Sequence, residues 1–282
     1  MIFQTQQAVS LCYLIAITLF TSVYIRILYI FFTKKQYRSK QCYQIMIQMG
    51  IIQILMAPGW ITYSLTQLFD SDDFFAPIFC AVISCGIRAE GLLGVALAFN
   101  RLRIICGIPY PLWLHTTITT SAWLFYCALF GLYNTPLAGF IVKPGLSPPM
   151  DDPAKSLLVS KATGLIYQAA LFVTFLSYMV IVSYLIYKKS KFPAVSHICK
   201  EKSILIFAGI RFIFDMTLSI IFHFVPLPKV VLSAIIFCAA YIVNNLFIPP
   251  FLYLCLNREL TALSHVQKLV GICEAKADMS VL

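Results

Sequence analysis

Seven long apolar runs dominate this chain, at about residues 8–32, 43–69, 78–100, 113–133, 159–187, 203–225 and 230–256. A hydrocarbon core about 30 Å thick needs roughly 20 helical residues to cross it, and each run supplies them. The runs are continuous rather than alternating, which excludes a β-barrel. Of the 282 residues, 60% are hydrophobic and 11% charged. Soluble chains carry about 25% charge, so a soluble fold is excluded as well. No polar stretch is long enough to form a separate domain: the longest, 134–158, is 25 residues with five prolines. The sequence predicts an all-α membrane protein, one seven-helix transmembrane domain over 1–282 with a short cytoplasmic tail at 257–282. The segment Pro226-Leu227-Pro228-Lys229 reads as a tight turn outside the bilayer, because its prolines cannot continue a helix.

Orientation follows from Lys and Arg in the short loops. One side collects fourteen: Lys34, Lys35, Arg38 and Lys40; Arg101 and Arg103; Lys188, Lys189, Lys191, Lys200 and Lys202; Arg258, Lys268 and Lys276. The other side has four, Lys143, Lys155, Lys161 and Lys229, together with Asp70, Asp72 and Asp73. The basic side is therefore expected in the cytoplasm, with the N-terminus outside and the C-terminus inside. The net charge of +10 thus belongs to a lipid bilayer and gives no reason to expect nucleic acid. No signal peptide is expected, since the N-terminus lacks a basic segment and the first run is long enough to span. The ten cysteines form no C-x-x-C pair and read mostly as small buried hydrophobes. No metal site and no cofactor are expected.

The third run closes on Ala96-Leu97-Ala98-Phe99-Asn100-Arg101-Leu102. An arginine at a cytoplasmic helix end is ordinary. It also matches the place of the Asp/Glu-Arg-Tyr site of G-protein-coupled receptors, where the arginine locks the resting bundle and then meets the G protein. The seventh run contains Asn244-Asn245-Leu246-Phe247-Ile248-Pro249-Pro250-Phe251-Leu252-Tyr253. Its prolines free backbone carbonyls that neighbouring polar groups must satisfy. On the plainer reading they only kink the helix. Pro250-x-x-Tyr253 also resembles the Asn-Pro-x-x-Tyr of rhodopsin-like receptors, with Pro249 where asparagine would stand. Leu256-Asn257-Arg258-Glu259-Leu260 then reads as the start of a short helix along the inner membrane surface.

Together with Tyr37-Arg38-Ser39-Lys40-Gln41-Cys42-Tyr43-Gln44-Ile45-Met46 at the start of the second run, these motifs resemble the nematode serpentine chemoreceptors. The likeness covers most of the chain through loose motifs. The start of the second run resembles class T, and the end of the seventh, Pro249 to Asn257, also resembles class V. The resemblance implies a rhodopsin-like architecture, a small-molecule ligand taken from outside and a heterotrimeric G protein as partner. It also implies the sensory cilium or dendrite membrane as location. G-protein contact would fall to Asn100, Arg101, Arg103, Lys188, Lys189, Lys191, Pro250 and Tyr253. Three departures bear on switching. The sixth run has no proline, the 134–158 loop has no cysteine for Cys80, and Asn100 replaces the acid beside Arg101.

Ionisable residues deep in a span are costly and usually face protein. Arg26 lies near enough to its helix end to snorkel. At about 1.5 Å per residue, Arg88 lies roughly 15 Å and Glu90 roughly 18 Å from the outer surface. Counted from inside, Arg211 lies at roughly 12 Å and Asp215 at roughly 18 Å, so all four share one slab. Three pairings fit: Glu90–Arg211 or Arg88–Asp215 between spans, or Arg211–Asp215 at i,i+4 within one helix. The set is either a purely structural network or one that also contacts ligand or switches. Trp60, Tyr63, Trp123, Tyr126 and His223 read as packing or interface residues before pocket residues. No H-E-x-x-H, no G-x-S-x-G and no paired membrane aspartates occur, so an enzyme is not expected. The rival function is a transporter or ion channel using the buried charges as a path.

Overall fold

The computed structural model describes residues 2–71, 75–108, 111–143, 150–152, 154–191, 199–224 and 231–256. Among these residues, seven long helices follow one another. They are α1 (Ile2–Thr33), α2 (Gln41–Phe69), α3 (Ala76–Cys106), α4 (Leu112–Tyr133), α5 (Leu157–Lys191), α6 (Cys199–Phe224) and α7. The last is composite: Val231–Ile242, a π-helical turn Val243–Phe247, and Ile248–Leu256. A single helical turn, Lys35–Arg38, joins α1 to α2. The expected 226–229 turn, the tail from 257 and Asp72 and Asp73 lie outside the described residues.

Five of the seven, α1, α2, α3, α5 and α7, are long and apolar enough to cross a membrane. Helix α4 is less apolar, carrying Thr116, Thr117, Thr119, Thr120 and Ser121 in its first half. The outer faces are apolar: Ile15, Leu19, Phe172, Leu176, Ile213 and Ile236 are all exposed. A surface of that kind suits acyl chains, not water.

Helix α3 is the centre of the bundle, packing on α2, α4, α5 and α6. Small residues let its neighbours approach. A Cβ built on Gly86 would stand 2.6 Å from Met56 Sδ, and one on Gly59 of α2 would stand 2.6 Å from the Phe79 carbonyl oxygen. The helix outruns its apolar segment by two turns. Nothing stops it before Gly107, whose φ of +68° and N–H bond to Arg103 O at 3.1 Å cap the end. Arg101 and Arg103 therefore lie on α3, not in the following loop. In the same way Lys188, Lys189 and Lys191 belong to α5, and Lys200 and Lys202 to α6. Cations at the C-terminal ends of α3 and α5 suit the helix dipole, so the helices continue into the polar layer.

The all-helical expectation needs one correction. The segment after α4 forms a small antiparallel hairpin, β1 (Phe140–Ile141) with β2 (Met150–Asp151), Phe140 opposite Asp151. Its inner edge packs on α3. Two-residue strands leave no periodic pattern in the sequence, and five prolines mask what there is.

Candidate functional site

Helices from both sides of the bundle converge on one guanidinium. Arg211 of α6 is 3% exposed. Its Nη2 donates to Glu90 Oε1 of α3 at 2.6 Å and to Asn245 Oδ1 of α7 at 3.2 Å. Its Nε donates to Asp215 Oδ2 at 3.2 Å, one turn along α6. Its Nη1 donates to the backbone carbonyl of Asn244. Asn244 Nδ2 closes the ring by donating to Asp215 Oδ1 at 2.7 Å. On the far side, Gln53 of α2 donates to Glu90 Oε1 and accepts the hydroxyl of Tyr24 on α1. The network therefore runs α1–α2–α3–α6–α7 at one depth.

The Asn244 carbonyl is free for a local reason. In an α-helix it would accept from Ile248, but the Ile248 N–H bonds Val243 O in the π-helical turn. One register further stands Pro249, which has no N–H. An intrahelical partner is thus lost in either register, and Arg211 takes the place. π-Turns of this kind concentrate at functional sites. Pro249→Ala would restore a donor and compete with Arg211. A hydrogen bond to a charged group is worth about 1.5–3 kcal/mol, so thermal stability is expected to shift measurably in that variant. Thermal unfolding of the purified chain measures it; an unchanged midpoint would show that this carbonyl plays no part in the balance.

Between α3, α5, α6 and α7 lies a small cavity of about 10 Å³, room for about one water. Ile87, Glu90 and Gly91 line it from α3, Tyr167 from α5, Asp215 and Leu218 from α6, and Tyr241, Asn244 and Asn245 from α7. Tyr167 lies on bare backbone: a Cβ on Gly91 would stand 2.7 Å from its Cδ2. Asn244 Oδ1 and Asn245 Nδ2 are buried without hydrogen-bond partners. The cavity lining thus offers one unmet acceptor, one unmet donor and two carboxylates, with the Arg211 guanidinium behind them.

Of the three pairings open in the sequence, Glu90–Arg211 and Arg211–Asp215 occur together. The Arg88–Asp215 bridge does not. Arg88 Nη2 pairs instead with Asp151 Oδ2 of the hairpin at 2.7 Å. Residues two apart on a helix point roughly 200° away from each other, so with Glu90 turned to α6, Arg88 faces the loop.

At the other end, Arg101 is 2% exposed, beside the Cys42 thiol of α2 and near Tyr178 of α5. Its Nε and Nη2 have no hydrogen-bond partner. Asn100 turns away and donates to Gln41 Oε1 at 3.3 Å. Arg103 is half-buried on the last turn of α3. Lys188 Nζ sits 5.9 Å from the Tyr184 ring centroid. The side chains of Lys189 and Lys191, and the 192–198 loop, lie outside the described residues. Pro250 is buried in α7. Tyr253 packs edge-on against Phe31 of α1 at 5.1 Å and 6.2 Å from the Tyr24 ring. Tyr253 therefore braces α1 against α7.

Trp60 and Tyr63 are core residues at 6.2 Å from each other, and Trp123 Nε1 donates to Gln48 Oε1 at 3.1 Å. Neither pair lines the cavity. Arg26 is exposed on the outside of α1, and the His223 side chain lies outside the described residues. Cys80 is a free, buried thiol donating to Gly59 O at 3.4 Å. Tyr24, Gln53 and Asp151 escaped the sequence reading. Gln53 had a visible signal, a lone amide deep in an apolar run.

The crystal structure of squid rhodopsin is similar to this chain, with a TM-score of 0.69 at 10% identity over 89% of this chain and 77% of that one. No protein-family model and no curated protein matches it. At that identity the likeness shows the fold alone: a seven-helix bundle arranged like that of rhodopsin.

Proposed function

We propose that the chain is a chemosensory receptor that takes a small ligand from outside the cell and signals to a heterotrimeric G protein. The observation that carries the reading is the double use of Glu90, Asp215, Asn244 and Asn245. They line the cavity, and they also hold Arg211, which ties α3, α6 and α7 together. A ligand that alters any of these bonds changes the relative stability of two helix packings, which is what a ligand-driven switch needs. In this packing the cavity has room for about one water, so a small ligand would enter only as the helices shift, which couples binding to the change of packing.

The reading places the N-terminus outside, the C-terminus inside and the protein in the plasma membrane of a sensory cilium or dendrite. The basic ends of α3, α5 and α6 support that orientation. Arg101 with Arg103, Asn100, the 188–202 segment, Pro250 and Tyr253 would then form or brace the G-protein face. Epitope tags stained before and after permeabilisation are expected to show the N-terminal tag on intact cells; a C-terminal tag visible there would overturn the orientation. Function is tested by calcium imaging of cells expressing the chain against an odorant panel. Ligand-evoked responses lost in Arg101→Ala support coupling. Ligand-evoked current that persists in Arg101→Ala, without any second-messenger response, would favour the channel or transporter reading instead.

A further inference from the structure

We propose that Arg88, Ser84 and Tyr133 form a recognition site for the carboxylate of a small organic acid, a site that Asp151 of the hairpin fills in this structure. Three donors from two helices converge on that one side chain. Arg88 Nη2 reaches Asp151 Oδ2 at 2.7 Å, Tyr133 OH reaches Oδ1 at 2.7 Å, and Ser84 Oγ reaches Oδ1 at 3.4 Å. The guanidinium is aimed by its own helix, with Nη1 on Ser84 Oγ and on Ser84 O at 3.3 Å. The Arg88 and Asp151 side chains are each 13% exposed. That is enough shielding for charge-assisted bonds to count and enough opening for exchange. The Asp151 carboxylate has the chemistry of a ligand's carboxylate.

The hairpin does not depend on this contact. Asp152 N bonds Gly139 O at 2.9 Å, Ser156 Oγ bonds both Gly139 N and Gly139 O at 2.7 Å, and Gln67 Nε2 holds Lys143 O at 2.8 Å. The Asp151 side chain can therefore leave while its strand stays. Arg88 is the only cation among the three converging donors, and the nearest buried charges deeper in the bundle, Glu90 and Asp215, outnumber Arg211. A second carboxylate on the ligand therefore finds no cation. The class is a monocarboxylate with a neutral body.

Asp151 then acts as a tethered competitor at an effective concentration on the order of millimolar, so Asp151→Asn is expected to tighten monocarboxylate binding by about tenfold or more. The full chain in lipid nanodiscs is titrated with propionate and benzoate, with their amides and with succinate, and binding is read as thermal stabilisation. Stabilisation by the monocarboxylates alone, shifted to lower concentration in Asp151→Asn and lost in Arg88→Gln, supports the site. If Arg88→Gln does not fold, Tyr133→Phe removes one donor at no change of charge and should weaken the same response several-fold. No carboxylate response in either the parent or Asp151→Asn overturns the proposal. So does a response that survives Arg88→Gln, or a gain for amides equal to that for acids. The ligand class rests on the receptor reading, but this measurement involves no G protein. Its failure leaves that reading standing, and a receptor that binds acids without signalling fails only the other.

Discussion

Arg211→Gln is expected to remove nearly all surface expression, while Glu90→Gln leaves most of it. The two residues form one bridge, yet they are not equivalent. Arg211 serves Glu90, Asp215, Asn245 and the Asn244 carbonyl, and it is the only described cation in contact with them. Removing it leaves two carboxylates facing each other in a low-dielectric slab with an orphaned carbonyl. Breaking a buried pair in this way costs roughly 3–5 kcal/mol. That is comparable with a whole fold's margin of about 5–15 kcal/mol. Glu90→Gln keeps Arg211 paired to Asp215 and α7 and keeps an acceptor for Gln53, so the loss is closer to the roughly 1.5–3 kcal/mol of one charged hydrogen bond. The charge swap Glu90→Arg with Arg211→Glu is informative. A plain two-residue bridge predicts rescue. The observed geometry predicts none, because glutamate cannot donate to the Asn244 carbonyl and would sit one turn from Asp215. Relief is expected instead from Arg211→Leu combined with Glu90→Gln and Asp215→Asn, which removes every stranded charge. Flow cytometry of a surface epitope measures all four variants. Equal losses in Arg211→Gln and Glu90→Gln, or a rescuing swap, would show that Arg211 has one partner that matters.

What the sequence made legible follows from which physical rules act locally. Apolar run length is local, so the seven helices can be counted in the sequence alone. Helix rise is regular, so Glu90 and Arg211 could be set at one depth and joined on paper. The partner of Arg88 could not be found in that way, because Asp151 sits in a loop whose path depends on Ser156 bonding back to Gly139 across 17 residues. Helix ends were misjudged where hydrophobicity and hydrogen bonding part company. The apolar stretch of α3 stops near Asn100, but the backbone continues to the Gly107 cap. The prolines of α7 announced freed carbonyls without saying which cation would take them. Only the three-dimensional approach of α6 puts Arg211 against Asn244. Gln53 was readable in principle, as an amide in an apolar run needs a buried partner.

Arg101→Ala is expected to abolish ligand-evoked signalling while surface expression stays near normal. The contrast with Arg211 lies in how each guanidinium is satisfied. Arg211 has an acceptor for every nitrogen, whereas Arg101 is 2% exposed with Nε and Nη2 unpartnered. A buried donor left unsatisfied costs about 1–3 kcal/mol, so losing this guanidinium offsets much of the packing that its side chain provides. The same unmet donors are what the proposed G-protein contact would use. If α5 and α6 part at their cytoplasmic ends, the guanidinium gains acceptors from the partner, and that gain helps to hold the open packing. Neighbouring Asn100 does not compete, since its amide is committed to Gln41 and carries no charge. Arg101→Lys should then be intermediate. It keeps the cation but loses the planar fork that can meet two acceptors at once. Second-messenger responses at matched surface density decide the matter. Full signalling by Arg101→Ala would mean that this arginine is only a buried cation at a helix end, and that coupling, if it occurs, runs through the basic ends of α5 and α6 alone.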